Sequence, residues 1–340
     1  MKKLASVLVL ATTIFNTSCS YAGISQSNQF GGNMNMINLQ DTKTWCLGRY
    51  AFEIPAEANV FGQSVNFDTF RIKVKSNASK ADYDQSVEKI RNDYKTEGKR
   101  ILLDDKPEVK YGQRLTKIIR GKYSSDPLVP IDVFAFVLDK NTLFLIEGGY
   151  GNREANKLRS DETIEHIVKN LRARGDHEVP AEAGFCIDKG FIKDSGEKYR
   201  YSMQQFSFDF IKYPSVVIRF EEEATLQPTL ELIPRITEKL LKVGQSKRQI
   251  EKGTIRKGIK NQISSIGLQG QEWITIEPMK GKDGISALWE HTGTSRQALD
   301  PLIKLEVNTG YESFTSKTAS LTEIEALKLY ELIMKSIRKF

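Results

Sequence analysis

Histidine, cysteine and paired carboxylates are the residue types through which this chain could do chemistry. It has three histidines, His166, His177 and His291. None lies in an H-E-x-x-H pattern, which would set two imidazoles on one helix face around a zinc ion, and no C-x-x-C pair exists. His166 follows Glu165 and sits one helical turn from Glu162, a spacing that could serve acid–base transfer. A surface helix carrying Asp161, Glu162, Glu165 and Lys169 accounts for the same spacing without chemistry. "EEE" at 221–223, with Asp209 nearby, invites a cation, but side chains alternate along a strand, so three consecutive glutamates cannot face one ion. "GGYGNR" at 148–153 is the one dense glycine cluster. It lacks the Lys and hydroxyl of a nucleotide-binding loop and reads as a turn. There is no G-x-S-x-G elbow for a hydrolase serine. The reading is of a binding protein, not an enzyme, with no catalytic residue, metal site or cofactor. A hydrolase built from scattered carboxylates is the weakest alternative.

The cysteines say more. "TWCLGRYAFEIPAE" (44–57) and "AGFCIDKGFIKDSG" (183–196) place Cys46 and Cys186 at matching points of two similar phrases. The third, Cys19, belongs to a different kind of segment. Lys2 and Lys3 precede "LASVLVLATTIF" (4–15), an apolar run too short to span a bilayer and suited to a secretory signal. Two exits compete. Ser20-Tyr21-Ala22 offers small residues for cleavage before Gly23. Asn16-Thr17-Ser18-Cys19 resembles a lipobox that would acylate Cys19, although Asn replaces the usual aliphatic residue. Residues 1–22 are read as the signal, and the periplasm as the destination, with lipid anchoring through Cys19 as the alternative. In that oxidising compartment Cys46 and Cys186 either bridge the two halves or serve as small buried apolar residues.

The net charge of +7 is spread evenly: residues 23–178 hold 24 Lys and Arg against 22 Asp and Glu, and residues 179–340 hold 24 against 21. Neither half is a polycation, so nucleic acid is not implied. Only "KRQIEKGTIRKGIK" (247–260) concentrates base. It reads as a solvated connector, with an anionic membrane or an acidic partner as the sharper alternative.

The elements that must position these residues repeat. After a flexible lead (23–41), residues 42–178 offer a short strand "YAFEIP", a strand "FDTFRIKVK" (67–75) and a helix over 79–98. Strands at 114–123, 131–139 and 142–150 follow, and a helix over 160–174 closes the unit. Residues 179–340 repeat the order: strand 214–223, helix 230–244, strands 270–279, 285–291 and 301–310, helix 320–340. This predicts an α+β protein, a tandem repeat of two similar domains. Each is expected to hold a complete, mostly antiparallel sheet with helices packed on one face, and the seam lies in "RGDHEVPAEAG" (174–184).

"W-C-L-G-R-Y-A-F-E-I-P", "G-F-C-I-D-K-G-F-I" and the closing "S-L-T-E-I-E-A-L-K-L-Y-E-L-I-M-K-S-I-R-K-F" resemble the two-domain periplasmic immunity proteins that bacteria keep against phospholipase effectors of type VI secretion. Cys46, Arg49 and Pro55 match the first landmark; Cys186, Gly190 and Phe191 match the second. The resemblance covers about Trp45 to Phe340 and rests on structural landmarks, so it carries over no functional residue. It implies a protein partner, the cognate lipase, whose cap the two lobes embrace to block substrate entry or cap movement. A non-enzymatic envelope adaptor or lipoprotein is the alternative, and peripheral membrane contact is compatible with both. Loops between strands and helices are the expected contacts. Tyr150 and Arg153 in the first half, and Arg296 in the second, are the aromatic and Arg candidates for anchors.

Overall fold

The computed structural model describes residues 37–96, 100–151, 153–260, 267–311 and 318–340. The signal segment 1–22, Cys19 and most of the lead lie outside the described residues. The end of the lead departs from expectation: Ile37 is buried in the main core and Leu39 packs against it. Both are aliphatic, and burying them ties the end of the lead to the domain.

The first half opens with a hairpin, β1 (Thr42–Leu47) and β2 (Tyr50–Pro55). It continues as β3 (Asn59–Phe67), β4 (Phe70–Ser76), α1 (Lys80–Thr96), β5 (Ile101–Asp105), β6 (Val109–Tyr111), β7 (Arg114–Lys122), β8 (Ile131–Asp139), β9 (Thr142–Tyr150), α2 (Glu154–Asn170) and β10 (Leu171–Ala173). The second half opens with its own hairpin, β11 (Gly184–Ile187) and β12 (Gly190–Lys193). It runs through β13 (Ser202–Asp209), β14 (Val217–Glu223), α3 (Leu232–Lys242), α4 (Lys247–Gly253), β15 (Thr254–Ile259), β16 (Gln271–Glu277), β17 (Gly284–His291), β18 (Leu302–Asn308), α5 (Glu323–Ser336) and β19 (Arg338–Lys339). The basic segment 247–260 is therefore not a connector but α4 and an edge strand. Ile250 seals it against Trp273, and Trp273 Nε1 donates to Thr254 Oγ1 at 3.0 Å.

The halves do not hold separate sheets. Among the described residues the main sheet has thirteen strands, fused where β3 pairs antiparallel with β13. Outward from that seam the order is β3-β4-β9-β8-β7-β5 on one side, with β6 also on β7, and β13-β14-β18-β17-β16-β15 on the other. The fusion follows from the strands themselves. On β3 and β13 one row of side chains (Val65, Phe67; Phe206, Phe208) enters the shared core while the alternate row (Ser64, Asn66; Met203, Gln205, Asp209) is mainly polar. Both strands need a partner, and each supplies it to the other.

Helices cover both faces of the sheet, not one. On β8, Val133, Ala135 and Val137 meet Ile164, Ile167 and Val168 of α2, whereas Phe136 and Leu138 meet Tyr83 and Val87 of α1. The second half divides likewise. Ile274, Ala287 and Trp289 join α5 (Leu329, Tyr330, Ile333), while Trp273 joins α3 and α4 through Leu232 and Ile250. The cause is visible in "IDVFAFVLD", whose near-continuous apolar run gives a strand with two buried faces.

Each hairpin crosses to the opposite half. Phe52 of β2 stacks on Phe220 of β14 at 4.3 Å, and Phe185 of β11 meets Phe67 of β3 edge-on at 5.3 Å. β19 extends the β1–β2 sheet and β10 extends the β11–β12 sheet, so the closing strand of each half completes the hairpin of the other. Cys46 and Cys186 are joined by a disulfide with Cα atoms 5.7 Å apart. Beside it, Gly48 and Cys186 exchange backbone hydrogen bonds of 2.9 and 2.7 Å. Arg174 fills the junction, donating to the carbonyls of Cys46, Ile187 and Gly190.

Candidate binding surface at the sheet centre and rim

Between α1 on one side and α3–α4 on the other, the middle of the sheet turns a polar face outward. On that face β4 presents Arg71 and Lys73, β13 presents Met203 and Gln205, and β14 presents Arg219, Glu221 and Glu223, all exposed or half-buried. Ion pairs stitch it along neighbouring strands: Lys73 to Glu147 at 2.6 Å and Arg219 to Glu306 at 3.2 Å. The glutamate run divides as alternation requires. Glu221 and Glu223 look outward while Glu222 is buried on the other face. Burial and the neighbouring Glu223 push the Tyr201 phenol up to about 12. Tyr201 therefore stays a neutral hydroxyl at the border of this face.

Strand register brings several loops to one rim of the sheet. Tyr150 lies opposite Ile131, Ser202 opposite Phe67, and Glu223 opposite Leu302, so Gly151, Arg153 and the segments 68–69, 199–201, 224–231 and 292–301 emerge on the same side. The rim is rigid where it crosses the seam. Buried Asp68 accepts from Arg159 Nε at 3.1 Å and from Thr163 Oγ1 at 2.8 Å, pinning α2 to the β3–β4 turn. Tyr199 donates its hydroxyl to the carbonyl of Ala224 at 3.0 Å. Leu158, Leu226, Leu230 and Leu299 stand exposed around these polar pins.

The three sequence-nominated anchors fare differently. Arg296 is exposed at the tip of 292–301 in a left-handed conformation (φ 59°), with its N–H on the carbonyl of Thr225 at 2.7 Å. Arg153 is exposed at the start of α2. Arg153 follows β9 and Arg296 precedes β18, five strand steps apart, or about 24 Å along the rim at ordinary strand spacing. Tyr150 does not qualify. It points inward, is only 8 % exposed and belongs to the core. Its place on the inward row with Ile146, two strand periods away, explains this. It lines a groove of ≈ 340 Å³ with Leu103, Ile131, Arg120, Lys157 and Asp161. The Arg120 charge there is matched by Asp104 at 2.8 Å and Asp161 at 2.6 Å.

The histidines hold structure together. His166 Nε2 lies 3.0 Å from Asp194 Oδ2, and its ring is parallel to Phe67. Burial opposes ionisation of Asp194, yet hydrogen bonds from His166 and Arg49 hold its carboxyl well below the usual range. His291 spans the Gln269 carbonyl (2.6 Å) and Asp300 (2.9 Å), bracing the loop that carries Arg296. His177 contacts the Thr44 carbonyl at 2.9 Å and Trp45 edge-on. Sequence reasoning missed Asp68, Arg159, Tyr199 and the outward row of β13. The alternation in "SMQQFSFD" was the signal for that row.

Fold and surface together define a two-halved α+β binding scaffold whose framed sheet face and loop rim suit a protein partner. The chain belongs to the family of Tle cognate immunity protein 4. The N-terminal domain of that family matches residues 43–175 and its C-terminal domain matches residues 178–339. Among solved structures it is similar to the apo immunity protein TplEi of the type VI secretion system from Pseudomonas aeruginosa, at 19% identity and a TM-score of 0.70, over 88% of this chain and 97% of that one. The same protein in complex with an "L" peptide aligns at 20% identity and a TM-score of 0.68, over 89% and 99%. The Tle4–Tli4 complex aligns at 19% identity and 0.70, over 89% and 98%. Comparison with curated proteins gave no match.

Proposed function

We propose that this protein neutralises a lipase effector of type VI secretion by binding it, without chemistry of its own, and that it does so in the periplasm. Family membership over both halves is the observation that carries the reading. The Cys46–Cys186 disulfide supports an oxidising compartment, and hence residues 1–22 as an export signal. We read the two halves as copies of one unit, supported by the shared strand order outward from the seam. The surface that grips the effector's cap is assigned to the outward sheet face and the rim carrying Arg153, Tyr199 and Arg296. There, exposed leucines surround rigid polar pins, as at interfaces where a few anchors dominate.

The test is co-purification of the exported protein with the lipase encoded beside it, followed by a lipase assay. Inhibition is expected to saturate near one immunity protein per effector. Turnover of many effector molecules by one protein, or no complex at all, overturns the reading. Intact mass of the exported form decides between cleavage before Gly23 and acylation of Cys19.

A further inference from the structure

We propose that the corner formed by α3 and α4 is a contact surface for an anionic phospholipid bilayer. α3 turns Leu232, Ile233, Ile236 and Leu240 toward the sheet, and α4 does the same with Ile250. Among the residues left outside, basic and aliphatic side chains predominate. Lys239, Lys242, Lys247, Arg248 and Lys252 are exposed, and between them Leu241 and Val243 stand 41 % and 57 % exposed. The turn that gathers them is fixed. Gly244 takes a left-handed conformation (φ 85°), and Ser246 with Gln249 forms a capping box that starts α4.

The local acids are already engaged. Glu238 pairs with Lys242 at 2.5 Å and Glu251 with Lys257 at 2.5 Å. Among the described residues no carboxylate lies within ion-pair distance of Lys239, Lys247, Arg248 or Lys252. Four unpaired cations around two exposed aliphatic side chains complement a negatively charged interface. The flexible cations meet headgroups while Leu241 and Val243 enter the acyl boundary. A protein partner would call instead for anchors seated in rigid pockets, whereas Arg248 stands exposed on α4 with no ion-pair partner among the described residues. Bound in this way, the protein would stand on the kind of surface a phospholipase attacks.

The experiment is vesicle co-sedimentation of exported protein carrying Cys19→Ser, so that no acyl chain contributes, on phosphatidylcholine vesicles with and without phosphatidylglycerol. Binding is expected only with phosphatidylglycerol and should fall as salt rises. Each cation near a charged surface is worth about five-fold in affinity. The triple variant Lys247→Glu/Arg248→Glu/Lys252→Glu should therefore bind at least roughly a hundred-fold more weakly. Leu241→Ser/Val243→Ser should weaken binding independently of salt. All these sites are exposed, and unchanged lipase inhibition by both variants verifies their fold. The inference is overturned if the parent ignores phosphatidylglycerol at low salt, binds both vesicles equally, or is unaffected by the triple variant. Loss of effector binding by the triple variant in lipid-free solution would assign the corner to an acidic protein and overturn it too.

Discussion

Replacing Glu222 by Gln removes a carboxylate from the middle of the seam between the halves, and the structure gives the direction and size of the effect. Glu222 is buried on β14; one oxygen accepts the Arg49 N–H at 2.9 Å, and the other has no hydrogen-bond partner among the described residues. Gln204, directly opposite on β13, is equally buried, with its amide unpaired as well. Burial pushes the Glu222 carboxyl from 4.5 up to about 7, against the pull of Arg49. The folded state thus holds this proton more tightly than the unfolded state does. Its contribution is most favourable below the unfolded value and is lost as pH rises through the window from 4.5 to about 7. A difference of that size corresponds to about 3 kcal/mol. An amide at 222 keeps an acceptor for the Arg49 N–H, carries no charge, and can donate to the Gln204 carbonyl. Glu222→Gln should therefore be more stable than the parent at about pH 8, by up to that amount, and the two should converge below about pH 4. Urea unfolding of both proteins across this range, at constant ionic strength, measures the effect. Parallel pH profiles, or a Gln variant that is less stable at high pH, would refute the reasoning.

Three further outcomes follow from the same contacts. Opening the disulfide with Cys46→Ser/Cys186→Ser frees a closed segment of 140 residues; chain entropy puts the loss at about 5 kcal/mol, and urea midpoints of oxidised parent, reduced parent and variant check it. Gly48→Ala should lose about 2–5 kcal/mol by urea unfolding, because φ is 57° there and an added Cβ would fall 1.2 Å from the Glu222 carboxylate. Arg153→Ala and Arg296→Ala should each weaken effector binding by about ten-fold with unchanged melting, whereas Tyr150→Ala should cost about 3–5 kcal/mol of folding stability; calorimetry of binding and of unfolding separates the two.

How far the sequence spoke depended on whether a segment's partners were local. The runs at 131–139 and 142–150 became β8 and β9 with those bounds, because each carries its own apolar signal and the turn at Lys140-Asn141 joins them directly. The seam strands β3 and β13 were missed. Asn59–Phe67 and Ser202–Asp209 are rich in Asn, Gln, Ser and Gly, and they become strands by pairing across more than a hundred residues. The same logic explains Leu171–Ala173, which reads as the end of a helix and is instead drawn off to pair with β12. α2 begins at Glu154, six residues before the helix start read at 160, because its first turns face solvent. At the candidate surface, exposed Arg153 and Arg296 were legible as loop tips, while Tyr150 faces in because strand phase, not loop proximity, sets its direction. Asp68, Arg159 and Tyr199 carried no local signal, since their partners come from other elements.

The exchange of closing strands has a consequence for how the protein comes into being. β2 is completed only when Arg338 settles opposite Ala51, and β12 only when Arg172 settles opposite Phe191. The backbone edge of β2 at Tyr50 and Ala51 therefore stays unpaired until β19 has been synthesised. A chain cut short before β19 leaves that edge of β2 open, whereas β19 closes it. Arrival of a few late residues thereby locks the opening hairpin into its sheet, so the two ends of the described chain are fastened together in the last step of assembly.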